Sequence, residues 1–386
     1  MLLSSRERLE RAIRFEAVDR APLCGGYIMI DTYLAALAGC SLEQFWRDKE
    51  SWAIEAYRKM GLDAVCQLCL PTSPDQFRGG YYLDVDKAGV TPEHIRAAYR
   101  SIHYDDPLKG LDLDRLEEQW VTKHRRMQTL CGDMVWIDGF QAAVGPMMPW
   151  WGYLDYGYEA FFTFLMLYEE DVRRYAEAQA ERSHAINARY AQVFKREGWL
   201  LVYGGEDIAS TDRLFVSPAY LERNYWPFLR RAMAPLRSAN IPIIWHCDGN
   251  LTAVIPWLIE CGCTGFQGGQ REAGMRFEEL AATRVYGGRL PVMFGALSVT
   301  IELPRDFGTV IAAVEHQVDT CAARGGGHIV FMTNTAIPGI PLENIIGAYE
   351  HAREYSRGRY VGARALGIDA IPAAADLDGA VVDITP

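Results

Sequence analysis

The chain has 386 residues, of which 49% are hydrophobic and 23% charged, a balance that supports a large buried core and excludes a wholly disordered protein. Its formal net charge of -11, with basic residues interleaved among acidic ones, excludes an electrostatic footprint for nucleic acid. No run of about 18 apolar residues appears, so no membrane span is expected, and the charged, helix-forming start points to a cytoplasmic protein. Nine scattered cysteines read as reduced thiols rather than a disulfide framework. Cys66 and Cys69 have CxxC spacing, but no second pair completes a zinc ribbon and both fall in an apolar run.

Short apolar runs alternate with amphipathic helical stretches along the chain. Strands are expected at residues 21–27, 64–70, 134–140, 200–204, 241–246, 264–267, 290–295 and 328–332. Apolar residues at three- and four-residue spacing predict helices over 219–238, 250–260, 307–323 and 342–357. Eight such units predict a single-domain α/β protein, a (β/α)8 TIM barrel spanning residues 1–386. The doubly wound sheet is the competing architecture, but Cys24-Gly25-Gly26-Tyr27 supplies no dinucleotide turn after the first strand. Residues 71–126, polar and aromatic, read as an insertion after the second strand that covers the barrel mouth. Residues 370–386 lack periodicity and read as a wrapping tail or an oligomer contact.

Chemistry in a barrel sits at the C-terminal strand ends. That rule selects Asp138 after the third strand, Glu206 and Asp207 after the fourth, and His246 and Asp248 after the fifth. It also selects Gln267 and Gln270 after the sixth, Ser298 after the seventh, and Asn334 and Thr335 after the eighth. Glu206 and Asp207 beside His246 and Asp248 suit a divalent metal or a general acid-base set. Asp207 can equally cap the following helix, while Asp248 and Asn250 can shape a turn. Strand alternation points Cys247 away from His246, and His328 stands at the far end of the eighth strand as a structural residue. The aromatic run from Met147 to Tyr153, with Trp150, can wall a flat substrate or serve as a lid. The glycine runs at 268–269 and 325–327 are too short for a P-loop, and no Gly-x-Ser-x-Gly elbow is present.

Several motifs together resemble the uroporphyrinogen decarboxylase-like superfamily over nearly the whole chain. They are Arg8-Leu9-Glu10-Arg11-Ala12 with Val18-Asp19-Arg20-Ala21-Pro22, Gly205-Glu206-Asp207-Ile208-Ala209, Val216-Ser217-Pro218, Trp245-His246-Cys247-Asp248-Gly249-Asn250, Glu272-Ala273-Gly274-Met275, and Ile337-Pro338 through Pro341-Leu342-Glu343-Asn344. The resemblance implies a TIM barrel and a homodimer. The decarboxylase itself holds propionates with an arginine-rich stretch, where this chain has Cys24-Gly25-Gly26-Tyr27-Ile28-Met29. The thiolate zinc site of the superfamily's coenzyme M methyltransferases is also missing, with Asp248 and Thr335 at its cysteine positions. Its aryl methyl ether demethylases use carboxylates and a histidine for zinc; Glu206, Glu222 and His246 occur in that order, and Asp207 or Asp248 can replace Glu222.

The expected activity is metal-assisted methyl transfer from a small methylated substrate to a corrinoid carried by a partner protein. Zinc is expected on His246, Glu206 and Asp207, with His246, Asp207 and Asp248 as catalytic residues. Tyr27, Asp138, Trp150, Gln267, Gln270, Ser298 and Asn334 are the candidate substrate contacts. A metal-independent decarboxylase or lyase acting on a small carboxylated substrate through His246 and Asp207 is the alternative, and a non-catalytic binding protein a third.

Overall fold

The computed structural model describes residues 2–74, 87–101, 104–139, 152–295, 297–336 and 338–371. It is an α/β protein with eight parallel strands: β1 (Cys24–Gly25), β2 (Ala64–Cys66), β3 (Val135–Ile137), β4 (Val202–Gly205), β5 (Ile243–Cys247), β6 (Gly265–Gly268), β7 (Val292–Phe294) and β8 (His328–Ile329). Each expected strand is present; all but β6 are shorter than their apolar runs, and β4, β5 and β6 end one residue later than expected. Hydrogen bonding orders them β1-β2-β3 and β4-β5-β6-β7-β8. β8 also lies beside β1: Leu23 bridges Val330 in parallel, with Cys24 N–H donating to Val330 O at 2.9 Å and Val330 N–H to Pro22 O at 2.9 Å. No pairing joins β3 to β4 among the described residues.

Every described residue of the eight strands is buried, because parallel strands are covered on both faces. Helices supply one cover. Helix Phe307–Ala322 starts at Asp306, whose carboxylate accepts from Thr309 N–H, and buries Val310, Ala313, Val314, Gln317, Val318 and Cys321 at helical spacing. Helix Leu342–Tyr355 packs beside it and buries Ile345, Ala348, Tyr349 and Ala352. The 29-residue helix Glu169–Glu197 lies along helix Trp226–Ser238. No helix among the described residues is long and apolar enough to cross a membrane.

Three expectations change. The helix expected over 219–238 is two, Pro218–Asn224 and Trp226–Ser238, broken at Tyr225. Pro227 follows Trp226 and cannot donate a backbone hydrogen bond, so one helix ends and a new first turn begins. The helix expected over 250–260 begins only at Ile255, after Asn250 Oδ1 accepts from Thr252 N–H in a turn. The third change concerns the insertion expected over 71–126, which contains the start of helix Leu113–Cys131, the crossover that packs on β3. Its buried Trp120, Met127 and Cys131 recur at spacings of seven and four, a helical stripe diluted by charged residues. Residues 75–86 of that segment lie outside the described residues, as do 372–386 of the expected tail, although Ala370 O accepts from Leu290 N–H at 2.9 Å.

The N-terminal ends of the strands carry a buried ionic knot. Asp63, just before β2, accepts from Arg8 Nη1 at 2.6 Å, Arg20 Nη1 at 2.6 Å and Leu23 N–H at 2.8 Å, while Arg8 also binds both Asp19 oxygens at 2.7 Å. The first helix, Ser5–Ile13, closed by a Ser4/Glu7 capping box, is thereby tied to β1 and β2. Removing one partner of such a knot leaves buried charge uncompensated. Asp63→Ala is therefore expected to lower the unfolding free energy by about 3–5 kcal/mol in urea titrations; a change below about 1 kcal/mol would contradict this role.

At the same end, His328 Nδ1 meets the Tyr360 hydroxyl at 2.8 Å, and burial, then the Arg324 guanidinium, pull its imidazole down to about 3. The unfolded chain takes up this proton below about pH 6.5 and the folded chain only near 3, so the neutral histidine's contribution is complete above 6.5 and lost as pH falls through that window. Between pH 6 and 4 the wild type should lose stability more steeply than His328→Gln, by about 1.4 kcal/mol per pH unit. Parallel slopes in urea titrations at several pH values would contradict it.

Candidate metal centre

Neighbouring strand ends bring together residues distant in sequence. In the β4–β5 register Gly205 is opposite His246, and in the β5–β6 register His246 is opposite Gln267. Gly205 has φ +143°, and a Cβ there would stand 2.0 Å from His246 O, so only glycine permits this approach. Two residues beyond each partner of this pair come Asp207 and Asp248. Asp207 Oδ1 accepts from Asp248 N–H at 2.8 Å, which ties the two loops together.

His246 is buried, and its Nε2 faces Asp207 Oδ1 at 3.8 Å and Asp248 Oδ1 at 3.9 Å. One ligand atom from each of the three residues lies within 4.8 Å of the others. These separations are too long for direct hydrogen bonds, and close enough to be first neighbours of one cation after small side-chain movements. The second oxygen of Asp248 accepts from Asn334 Nδ2 at 2.5 Å, whereas its Oδ1 is buried without a hydrogen-bond partner. Burial pushes the Asp248 carboxyl up to about 6; His246 opposes the shift, and the Asp207 and Glu272 carboxylates add to it. A buried, unpaired carboxylate oxygen facing an imidazole and another carboxylate is costly alone and fits a divalent ion.

The other expected residues divide by location. Glu206 accepts from the Tyr225 hydroxyl at 2.7 Å and is not in the three-residue group, so Asp248 stands where Glu206 was expected as a ligand. Glu222 is exposed on helix Pro218–Asn224. Tyr27 belongs to the site: its ring is edge-on to His246 at 6.5 Å, and its hydroxyl is 2.6 Å from that of Tyr203. Gln267 contacts His246 Nδ1 directly, and Asn334 holds Asp248. Gln270 supports the turn after β5, its Oε1 accepting from Gly249 N–H at 2.9 Å.

Asp138 and Ser298 do not join this group. The Asp138 carboxylate is turned to helix Leu113–Cys131, 2.5 Å from His124 Nδ1, and accepts from Trp136 Nε1 at 2.7 Å. Ser298 Oγ accepts from Thr300 and Ile301 N–H and so closes the turn after β7. Trp150 lies outside the described residues. Cys247 is buried, which pushes its thiol up, and its Sγ contacts Ile208 N–H and Asp248 O instead of the three-residue group.

Tyr203 is the site residue that the sequence reasoning misses. Its place inside an apolar strand suggests core, yet its hydroxyl donates to Gln267 Oε1 at 2.9 Å. Period-two alternation puts Tyr203, Gly205 and Asp207 on one side of their strand, as it does Ile244, His246 and Asp248, so extending the alternation backwards from Asp207 finds it. Beside Asp207 is an aromatic wall. Tyr153, Tyr158, Phe162 and Phe215 have ring centroids 4.8–6.0 Å apart, and both tyrosine hydroxyls are raised by burial and then by the Asp207 carboxylate.

No protein-family model matches the chain, and no curated protein matches it significantly.

The centre carries an energetic signature. With its carboxyl held above the ordinary value, Asp248 costs the metal-free fold nothing below about pH 4, increasingly more as pH rises from about 4 to about 6, and its full penalty above about 6. In chelator-treated protein, Asp248→Asn should raise the urea midpoint at pH 8, by on the order of 1 kcal/mol in stability, and match the wild type at pH 4. A lower midpoint at pH 8 would show that the charge is not strained.

Proposed function

We propose that the eight parallel strands close into a (β/α)8 barrel and that the protein is a divalent-metal-dependent methyltransferase. In this reading a methyl group moves from a small methylated substrate, an aryl methyl ether among the candidates, to a corrinoid carried by a separate protein. The three-residue group at the C-terminal ends of β4 and β5 carries the proposal: Asp207, His246 and Asp248 offer one nitrogen and two oxygen ligands, with a buried Asp248 oxygen in want of a partner. The resemblance to the aryl methyl ether demethylases supports zinc, and the mixed nitrogen and oxygen donors fit it.

A bound divalent ion would supply Lewis-acid polarisation of the heteroatom bearing the methyl group, worth several kcal/mol as charge develops on the leaving atom. The chain's own residues do the rest. Asp207 and Asp248 together balance a double positive charge, leaving a locally neutral site that accepts a neutral substrate. Asn334 holds one oxygen of Asp248 and so orients the other toward His246, while the Asp248 backbone N–H holds the very Asp207 oxygen that faces His246, so both carboxylates are oriented in advance. The wall of Tyr153, Tyr158, Phe162 and Phe215 suits a flat ring beside Asp207.

The decarboxylase reading is less well supported by the charges. A carboxylated substrate approaching His246 would meet Asp207 and Asp248, with Glu272 near enough to raise the Asp248 carboxyl.

Metal analysis of the purified protein should find about one divalent ion per chain. His246→Ala should lose it and reduce methyl transfer to a corrinoid protein at least about 100-fold with the fold intact. Full turnover by chelator-stripped protein would sink the proposal, and turnover of a carboxylated substrate without any corrinoid would favour the lyase.

A further inference from the structure

We infer that Gln267 is a positioning residue that fixes the tautomer of His246, so that Nε2 presents its lone pair to the Asp207–Asp248 side. The inference deepens the metal-dependent reading above and rests on it for its functional meaning. Its structural content is independent of any ion.

The amide of Gln267 has a defined orientation. One end contacts two backbone carbonyls, Met332 O at 2.6 Å and Thr333 O at 2.9 Å. Carbonyl oxygens only accept, so this end must be the NH2, which uses both of its hydrogens there. A flipped amide would set three oxygens against one another in a buried place. The other end is therefore Oε1, which faces the Tyr203 hydroxyl at 2.9 Å and His246 Nδ1. Two donors meet two lone pairs, and the side chain has no hydrogen-bonding capacity left for a substrate. Gln267, expected from sequence as a substrate contact, has its polar atoms spent inside the protein.

An acceptor at Nδ1 requires a hydrogen on Nδ1. Neutral imidazole carries one N–H, so Nε2 keeps its lone pair. That lone pair faces Asp207 Oδ1 and Asp248 Oδ1. Without Gln267 the opposite tautomer would gain, because an Nε2–H can point toward carboxylates and an Nε2 lone pair is repelled by them. The amide thus holds the ring in the form that binds a cation. A neutral acceptor does so without a third negative charge, whereas a carboxylate in this place would raise the histidine's basicity and add charge to the centre.

Nitrogen-15 NMR of metal-free protein at pH 9, with the histidines labelled, reads the tautomer directly. The wild type should show His246 as the Nδ1–H form. Gln267→Met, similar in volume and without polar atoms, should shift it toward Nε2–H and weaken zinc binding by about 10–100-fold. An Nε2–H signal in the wild type overturns the inference without any variant having to fold, and so does an unchanged tautomer in Gln267→Met. An Nδ1–H wild type that binds no divalent ion supports the role of Gln267 while defeating the metal-dependent function, so the two failures are distinguishable.

Discussion

The parallel register that sets Gly205 against His246 is the constraint on which the site depends. Glycine at φ +143° lets the β4 backbone approach where any Cβ would strike His246 O. Fixing that pair also fixes the residues beyond it. Asp207 and Asp248 emerge two residues later on adjacent strands, and the Asp248 N–H to Asp207 hydrogen bond locks their loops together. Shifting either strand by one residue would turn its side chains to the opposite face and disperse the group. The same register puts Gln267 opposite His246 on the next strand. One backbone contact thus sets the carboxylates, the imidazole and the amide behind it.

The two ends of the strands use charge in opposite ways. At the N-terminal end, Asp63 is buried with Arg8 and Arg20, and each carboxylate oxygen has guanidinium donors. At the C-terminal end, Asp248 is half-buried beside another acid, with one oxygen satisfied and one without a partner. The first arrangement is complete and ties helix Ser5–Ile13 to the sheet. The second is incomplete, and incompleteness of this kind persists only where the surrounding structure enforces it. Stabilising interactions at one end and a strained acidic group at the other match the division seen in parallel α/β proteins, where binding groups gather at the carboxyl ends of strands.

Much of this is legible in the sequence. Buried parallel strands write themselves as apolar runs, so all eight can be located. Their ends are blurred because apolar residues continue into loops that are also buried, as at Leu23 and Met332. Helix Leu113–Cys131 is hidden within an expected insertion since its buried positions are sparse among charged ones. His246, Asp207 and Asp248 come from the strand-end rule. Glu206 and Asp207 are adjacent in sequence, and only the path of the loop decides which turns to Tyr225 and which to His246. Asp138 satisfies the same rule, but His124 and Trp136 draw it to the helix side, a tertiary contact that no local pattern encodes. A polar residue in a buried strand suggests a ligand contact, whereas Gln267 shows that such a residue can be consumed by the protein.

That last distinction bears on how specific the centre can be. A histidine flanked by acids is ambiguous: protonated, it is an ion-pair partner; neutral with Nε2–H, it is a donor; neutral with Nδ1–H, it is a ligand. Between the two neutral forms the acids alone favour the Nε2–H one, since negative charge attracts hydrogen on the facing nitrogen. Between these two, only an acceptor behind the ring selects the third, and an amide anchored on two main-chain carbonyls cannot rotate away to release it. The chemistry of the centre is therefore decided at Nδ1, on the side of the imidazole turned away from Asp207 and Asp248.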